Sequence, residues 1–195
     1  MRYASAFLVA LTFAWMCPCR AMSVAPPTFP NLVRHAEQIV RAQVIAVSCR
    51  WDDSAQGRLI HTYVTCRILR SLTGSQQDSV TLRLLGGQVG DARMVIPDMP
   101  TFEVGGTYIL FIARNGRAFC PLVGVMHGSY RVVKDPATGS EHVARSNSEP
   151  LRTAEDVDQP MDPPSATTIV GEASGMTRES FETAILAELG HDSNQ

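Results

Sequence analysis

The sequence predicts a mainly β protein: a small closed β-barrel or sandwich, then a flexible acidic linker and one C-terminal helix. Several short runs of alternating apolar and polar residues follow one another between residues 38 and 144. Turn signals such as Asn115-Gly116 separate them, and no helical run is long enough for a βαβ crossover. A chain of 195 residues, 45 % of them hydrophobic, is enough for one packed domain.

Residues 1–25 are expected to be a secretory signal peptide. Arg2 precedes an uncharged apolar run over residues 3–16, which is too short to span a bilayer comfortably. Small residues stand at the usual cleavage offsets before Met22 and before Pro26, so both sites stay open. The protein is then exported, periplasmic or extracellular, with no membrane span after processing. The alternative is a retained N-terminal anchor.

Residues 30–145 are expected to form the barrel domain. It begins with one helical turn over residues 31–37, capped by Asn31. In the first strand, Ile45, Val47, Cys49 and Trp51 share one face. The full set of predicted strands is 38–51, 59–69, 79–85, 107–113, 117–125, 129–134 and 141–144.

The composition changes after residue 145. Residues 146–176 are rich in proline and acidic side chains, which predicts a disordered linker. Residues 177–190 follow as an amphipathic helix with Thr177 as its N-cap. Its apolar side is formed by Phe181, Ile185, Leu186 and Leu189, and it needs a surface to pack on, either the barrel or a partner.

Three cysteines remain after removal of the signal region, which contains Cys17 and Cys19. A hairpin register that pairs Val47 with Ile68 would also place Cys49 opposite Cys66, close enough for a cross-strand disulfide. Two free core thiols are the alternative. Cys120 precedes Pro121 in an apolar strand and is expected to be a buried, inert thiol.

No cofactor, metal ion or nucleic acid is predicted. The five histidines lack the spacing of a zinc site, and no nucleophile elbow is present. No helix follows the glycine cluster at residues 86–90, so a turn explains it better than a phosphate site. Residues 30–145 carry 13 basic and 9 acidic side chains, too small an excess for nucleic-acid binding.

The long loop over residues 86–102 is the predicted recognition surface, because long loops often carry function. Its exposed candidates for binding are Gln88, Asp91 and Arg93. An enzyme would instead require a pocket that gathers two or more of the residues His61, His127, Asp91 and Glu103.

Five stretches, at residues 36–44, 51–53, 86–90, 100–105 and 108–112, together resemble a family of uncharacterised exported bacterial proteins. The resemblance implies an OB-like barrel, the fold also used by tissue inhibitors of metalloproteinases and netrin-like modules. Those inhibitors start with Cys-x-Cys, whose first amino group and carbonyl hold a protease zinc. Cys17-Pro18-Cys19 is similar, although its use would require cleavage after the bulky Met16.

The sequence thus favours an exported, non-enzymatic module that binds an exported protein or a protease, with a protease-inhibitor-like role by analogy of fold. Two other classes stay open: an enzyme whose site is assembled only in three dimensions, and a structural or assembly accessory of the cell envelope. The oligomeric state is left open.

Overall fold

A computed structural model describes residues 25–54, 57–161 and 175–192. The predicted signal peptide up to residue 24, with Cys17 and Cys19, lies outside the described residues, and so do residues 162–174 of the predicted linker.

The chain is mainly β, as predicted, and its main sheet has six antiparallel strands in the order β3-β2-β1-β6-β7-β8. A small hairpin, β4 with β5, lies apart from it. Among the described residues no pairing between β3 and β8 closes the sheet. The elements are α1 (Phe29–Arg34), β1 (Gln38–Ser54), β2 (Gly57–Thr73), β3 (Ser79–Leu85), β4 (Gly87–Val89), β5 (Ala92–Met94), β6 (Thr107–Ile112), β7 (Ser129–Lys134), β8 (Glu141–Ala144) and α2 (Arg178–Asp192).

The register of the β1–β2 hairpin differs from the predicted one. Ser54 pairs with Gly57, so the turn is far tighter than the predicted loop, and both strands are correspondingly longer. Cys49 therefore lies opposite Thr62, and Cys66 lies opposite Val44 across a register shift. The predicted facing of the two cysteines is wrong, and Cys49, Cys66 and Cys120 are free thiols.

The segment predicted as a strand over residues 117–125 is mostly turns. Its one bridge joins Leu122 to Ile112, and Gly124 and Val125 have left-handed φ angles of 63° and 57° that end any extended run. Its backbone still links β3 to β6: Leu85 N donates to Phe119 O at 2.8 Å, and Val123 N donates to Phe111 O at 3.0 Å.

Each face of the sheet contributes to a buried core. One face packs against α1, α2 and the chain after β8, with Ile39, Phe111 and Tyr130 at its centre. The other curls around an inner core, whose buried residues are Val40, Ala42, Val44, Val64, Cys66, Leu82, Leu84, Tyr108, Leu110, Ile112, Cys120, Leu122 and Val125.

Residues 146–161 are not the disordered linker that their composition predicted. Leu151 and Val157 are fully buried in the core beneath the helices, and Met176 N donates to Leu151 O at 2.6 Å. The spacing of Leu151 and Val157 matches no helix or strand period, so neither residue was recognised as a core residue within this polar, proline-rich segment.

Helix α2 docks on the domain itself, with Phe181 and Ile185 fully buried, while Leu186 is exposed on the opposite side. Within the described ranges, no helix combines the length and hydropathy needed to cross a membrane.

Candidate functional site

The three predicted binding residues lie together on the β4–β5 hairpin. Gln88 pairs with Arg93 across its two strands, Asp91 lies in the turn, and all three are exposed. Gln88 Nε2 donates to Gly90 O at 3.2 Å, within the same hairpin. The loop between β3 and β6 is therefore more regular than predicted, and the three side chains form a polar tip rather than a pocket.

The base of this hairpin is anchored over β1 and β2. Gly86 N donates to Ile60 O at 2.8 Å, and Thr62 Oγ1 donates to Gly86 O at 2.7 Å. Gly87 has a φ of +135°, and a Cβ there would lie 2.6 Å from Thr62 Oγ1 and 2.7 Å from Cys49 Sγ. This close approach explains the glycine, and it places the hairpin backbone against one side of the partly exposed Cys49 side chain.

Half of β1 has a strand on one side only. β6 pairs with β1 from Gln38 to Gln43, and Val44 then exchanges backbone hydrogen bonds with Gly105 and Gly106 at 2.8 and 2.9 Å. From Ala46 onward β2 continues to pair with β1, but no described strand lies on the opposite side. We call the backbone of residues 46–54 the open β1 edge.

The outer edges of the two terminal strands, β3 and β8, are capped in part. On β3, Asn115 Nδ2 donates to Thr81 O at 2.8 Å and its Oδ1 accepts from Arg83 N at 3.2 Å, so one amide side chain satisfies the strand as a neighbouring backbone would. On β8, Val143 N donates to Met176 O at 3.1 Å and its carbonyl accepts from Leu151 N. We find no such cap on the open β1 edge among the described residues.

Large apolar side chains are exposed along the same stretch. Val47 and Trp51 are each 38 % exposed, and Ile45, at the register shift beside the edge, is 49 % exposed. Val104 is 65 % exposed and precedes Gly105, which bonds to Val44. Apolar side chains and an unpaired backbone therefore coincide at one place.

The β1–β2 hairpin carries a polar cluster that the sequence did not indicate, formed by Arg50, Asp52, His61 and Tyr63. Asp52 accepts hydrogen bonds from Arg50 Nε at 3.2 Å and from the hydroxyl of Tyr63, and the Arg50 guanidinium stacks on the Tyr63 ring at 3.8 Å. These bonds, that of Tyr63 first, hold the pKa of Asp52 below its usual value. His61 Nδ1 lies 3.2 Å from Asp52 Oδ2 without forming a hydrogen bond.

This cluster stiffens the hairpin. It joins side chains of both strands, so β1 is held extended where β6 no longer supports it. His61 is buried, and desolvation lowers its pKa, so it is neutral near pH 7.

The four residues named for an enzymatic pocket have separate surroundings. His61 belongs to the hairpin cluster, Asp91 to the β4–β5 turn, and Glu103 pairs with Arg131 at 2.6 Å. His127 is buried beside Arg145, near the end of β8. Within the described ranges no three His, Cys, Asp or Glu side chains are grouped as metal ligands.

A cavity of about 340 Å³ lies in the segment that follows β8. Nothing in the sequence indicated it. Its lining consists of Arg145, Glu149, Pro150, Arg152, Asp156, Gln159 and Pro160.

Comparison with protein-family models gave no match, and comparison with curated proteins gave none either.

Proposed function

We propose that this protein is an exported, non-enzymatic binding module that receives an extended segment of a protein partner at its open β1 edge. One observation carries the proposal: residues 46–54 present an uncapped strand edge beside the exposed side chains of Val47 and Trp51. The outer edges of β3 and β8, in contrast, are capped in part by the Asn115 amide and by backbone groups.

An open strand edge recognises a chain through its backbone. Every second residue directs its N–H and C=O groups away from the neighbouring strand, so an added strand gains main-chain hydrogen bonds without a particular sequence. Proteins usually block long apolar edges because they promote aggregation, so an unblocked one marks a site of interaction.

The side chains beside the edge define the partner's chemistry. Val47 and Trp51 lie on one face of β1, two positions to either side of Cys49, and select apolar residues at alternate positions of the added strand. The exposed charges nearby balance, because Arg50 pairs with Asp52 and Arg58 with Asp53. We therefore expect a partner segment with apolar side chains on one face and little net charge.

A protease-inhibitor-like role is kept as a separate form of the binding proposal, and it rests on analogy of fold and not on the open β1 edge. Export to the periplasm or beyond is supported by the apolar run in residues 1–25. An OB-like closure of the sheet is supported by the inner core and by the hydrogen bonds that residues 119–123 make to Leu85, Ala113 and Phe111.

The test uses synthetic ten-residue peptides with apolar residues at every second position, and the same peptides with proline at alternate positions as blocked strands. The affinity of these peptides for the processed protein is measured with the wild type, with Val47→Lys and with a matched control, Leu69→Lys. Leu69 is exposed on β2 but lies beyond the part of that strand that pairs with the open edge.

We expect the alternating peptides to bind, the proline peptides not to bind, and Val47→Lys to weaken binding about tenfold. Leu69→Lys should leave binding unchanged. Binding that is insensitive to Val47→Lys, or no binding of any alternating peptide, would overturn the proposal.

A further inference from the structure

Arg145 is a buried cation with a poor counter-ion. Its side chain is 5 % exposed, and its nearest carboxylate, on Glu149, lies 3.4 Å from Nη1 and is itself 44 % exposed. Among the described residues, its guanidinium donates its other hydrogen bonds to the backbone oxygens of Gln159 and Pro160. A buried guanidinium normally makes short, paired bonds to an anion, so this one is under-satisfied.

Polar atoms around Arg145 also lack partners. Arg145 Nε, His127 Nδ1 and Tyr130 Oη are shielded from solvent, and none has a hydrogen bond among the described residues. Burial lowers the pKa of His127, and the charge of Arg145 lowers it further, so the imidazole adds no second positive charge near pH 7. His127 hydrogen-bonds the backbone of Val157 through its other ring nitrogen, so its unpartnered Nδ1 is an acceptor, whereas Arg145 Nε and the Tyr130 hydroxyl are buried donors without an acceptor in the described part of the chain. Of these three residues only Arg145 lines the cavity, so Arg145 is the buried donor group that an entering acceptor could reach.

The cavity of about 340 Å³ opens onto this arginine and has a second guanidinium, Arg152, in its lining. Two carboxylates also line it, but they differ. Asp156 accepts hydrogen bonds from the backbone N–H groups of Arg152 and Thr153, at 3.2 and 3.0 Å, and is fixed in that turn. Glu149 is half-exposed, and among the described residues its carboxylate is held only by the long contact to Arg145.

We propose that this cavity binds a small oxyanion, a carboxylate or a phosphate, on the guanidinium of Arg145. Arg152 contributes the second positive charge, and the Glu149 carboxylate moves into solvent when the anion enters. Glu149 is then the built-in competitor for the site. This inference does not depend on the open β1 edge, which lies on other strands.

The test measures thermal unfolding of the processed protein in sodium acetate or inorganic phosphate, with sodium chloride keeping the ionic strength constant. Glu149→Gln removes the competing charge. Glu155→Gln, at an exposed position outside the cavity lining, removes an equal charge from the same segment and is the matched control.

We expect saturable stabilisation by at least one of the two anions, with an apparent affinity raised about fivefold by Glu149→Gln and less than about twofold by Glu155→Gln. Stabilisation by acetate alone assigns a carboxylate, and by phosphate alone a phosphate. Shifts no larger than those in chloride, or equal effects of the two variants, would overturn the proposal.

Arg145→Lys keeps the charge and loses the planar fork, and should reduce the anion-dependent shift. Should that variant fail to fold, as judged by circular dichroism, the comparison of Glu149→Gln with Glu155→Gln still decides the outcome.

Discussion

Arg70 Nη1 lies 2.5 Å from Glu182 Oε2, and this ion pair ties the C-terminal helix α2 to strand β2. Glu182 is 1 % exposed and also lies 3.4 Å from Arg41 Nε on β1 and 3.3 Å from Arg178 Nη1 on its own helix. One buried carboxylate is thus surrounded by three guanidinium groups, and the helix position depends on it.

Neutralising Glu182 should loosen the helix. Glu182→Gln leaves Arg41, Arg70 and Arg178 facing one another without a common anion, and we expect the free energy of unfolding to fall by about 3 kcal/mol. Glu179→Gln is the control, because Glu179 pairs with Arg178 from a mostly exposed position, and it should cost less than about 1 kcal/mol. If urea denaturation shows that the two substitutions lower the free energy of unfolding equally, the buried carboxylate of Glu182 contributes no more to stability than the exposed one of Glu179.

The aromatic cluster beneath α2 should dominate its docking. Phe181 is fully buried, with its ring centroid 5.1 Å from that of Tyr130 and 6.0 Å from that of Phe29. We expect Phe181→Ala to lower stability by about 3–5 kcal/mol. Leu186→Ala, on the exposed side of the same helix, should change it by less than about 1 kcal/mol in the same chemical denaturation. A larger loss from Leu186→Ala would contradict the observed helix orientation.

Stability should decrease with acidification between about pH 7 and pH 5. His127 has a folded pKa below 6.5, owing first to burial and then to Arg145, so the unfolded chain binds its proton more readily. The contribution of His127 to stability is therefore complete above the pKa that His127 has in the unfolded chain. It is lost as the pH falls towards the pKa of His127 in the folded protein. Thermal unfolding at stepped pH should show a shallower loss for His127→Asn than for the wild type. If stability depends on pH equally in the wild type and in His127→Asn, His127 does not cause the loss of stability.

The three described thiols should react unequally. Burial raises the pKa of Cys66 and Cys120 to about 11, whereas Cys49 is partly exposed. Alkylation of the folded protein, followed by peptide mass spectrometry, should label Cys49 first and the other two only after unfolding. A Cys49–Cys66 disulfide in the non-reduced digest would refute the observed hairpin register.

Strict alternation and clear turn residues were enough to predict β3, β7 and β8 with their observed bounds. The β1–β2 register could not be predicted, because β1 is apolar on both faces and several turns between residues 52 and 57 fit the two strands equally. The tail was misjudged because only a few anchors, Leu151 and Val157 among them, bury it within a polar composition.

The candidate sites were less predictable than the strands. Gln88, Asp91 and Arg93 were correctly predicted to be exposed because the glycine-rich stretch indicated a long loop, although the β4–β5 hairpin within it was not predicted. The cluster around Asp52 needed the true register, since that register places Arg50 opposite His61. The open β1 edge depends on where β6 stops pairing, which no local pattern of β1 encodes.

Amide hydrogen exchange of the free, processed protein tests the open β1 edge most directly. The amide of Val44 donates to Gly106 and should be protected, whereas every second amide between Ala46 and Asp53 should exchange rapidly because it faces no strand. Binding of an alternating peptide should then slow those amides. Uniform protection of residues 46–53 in the free protein would contradict the account.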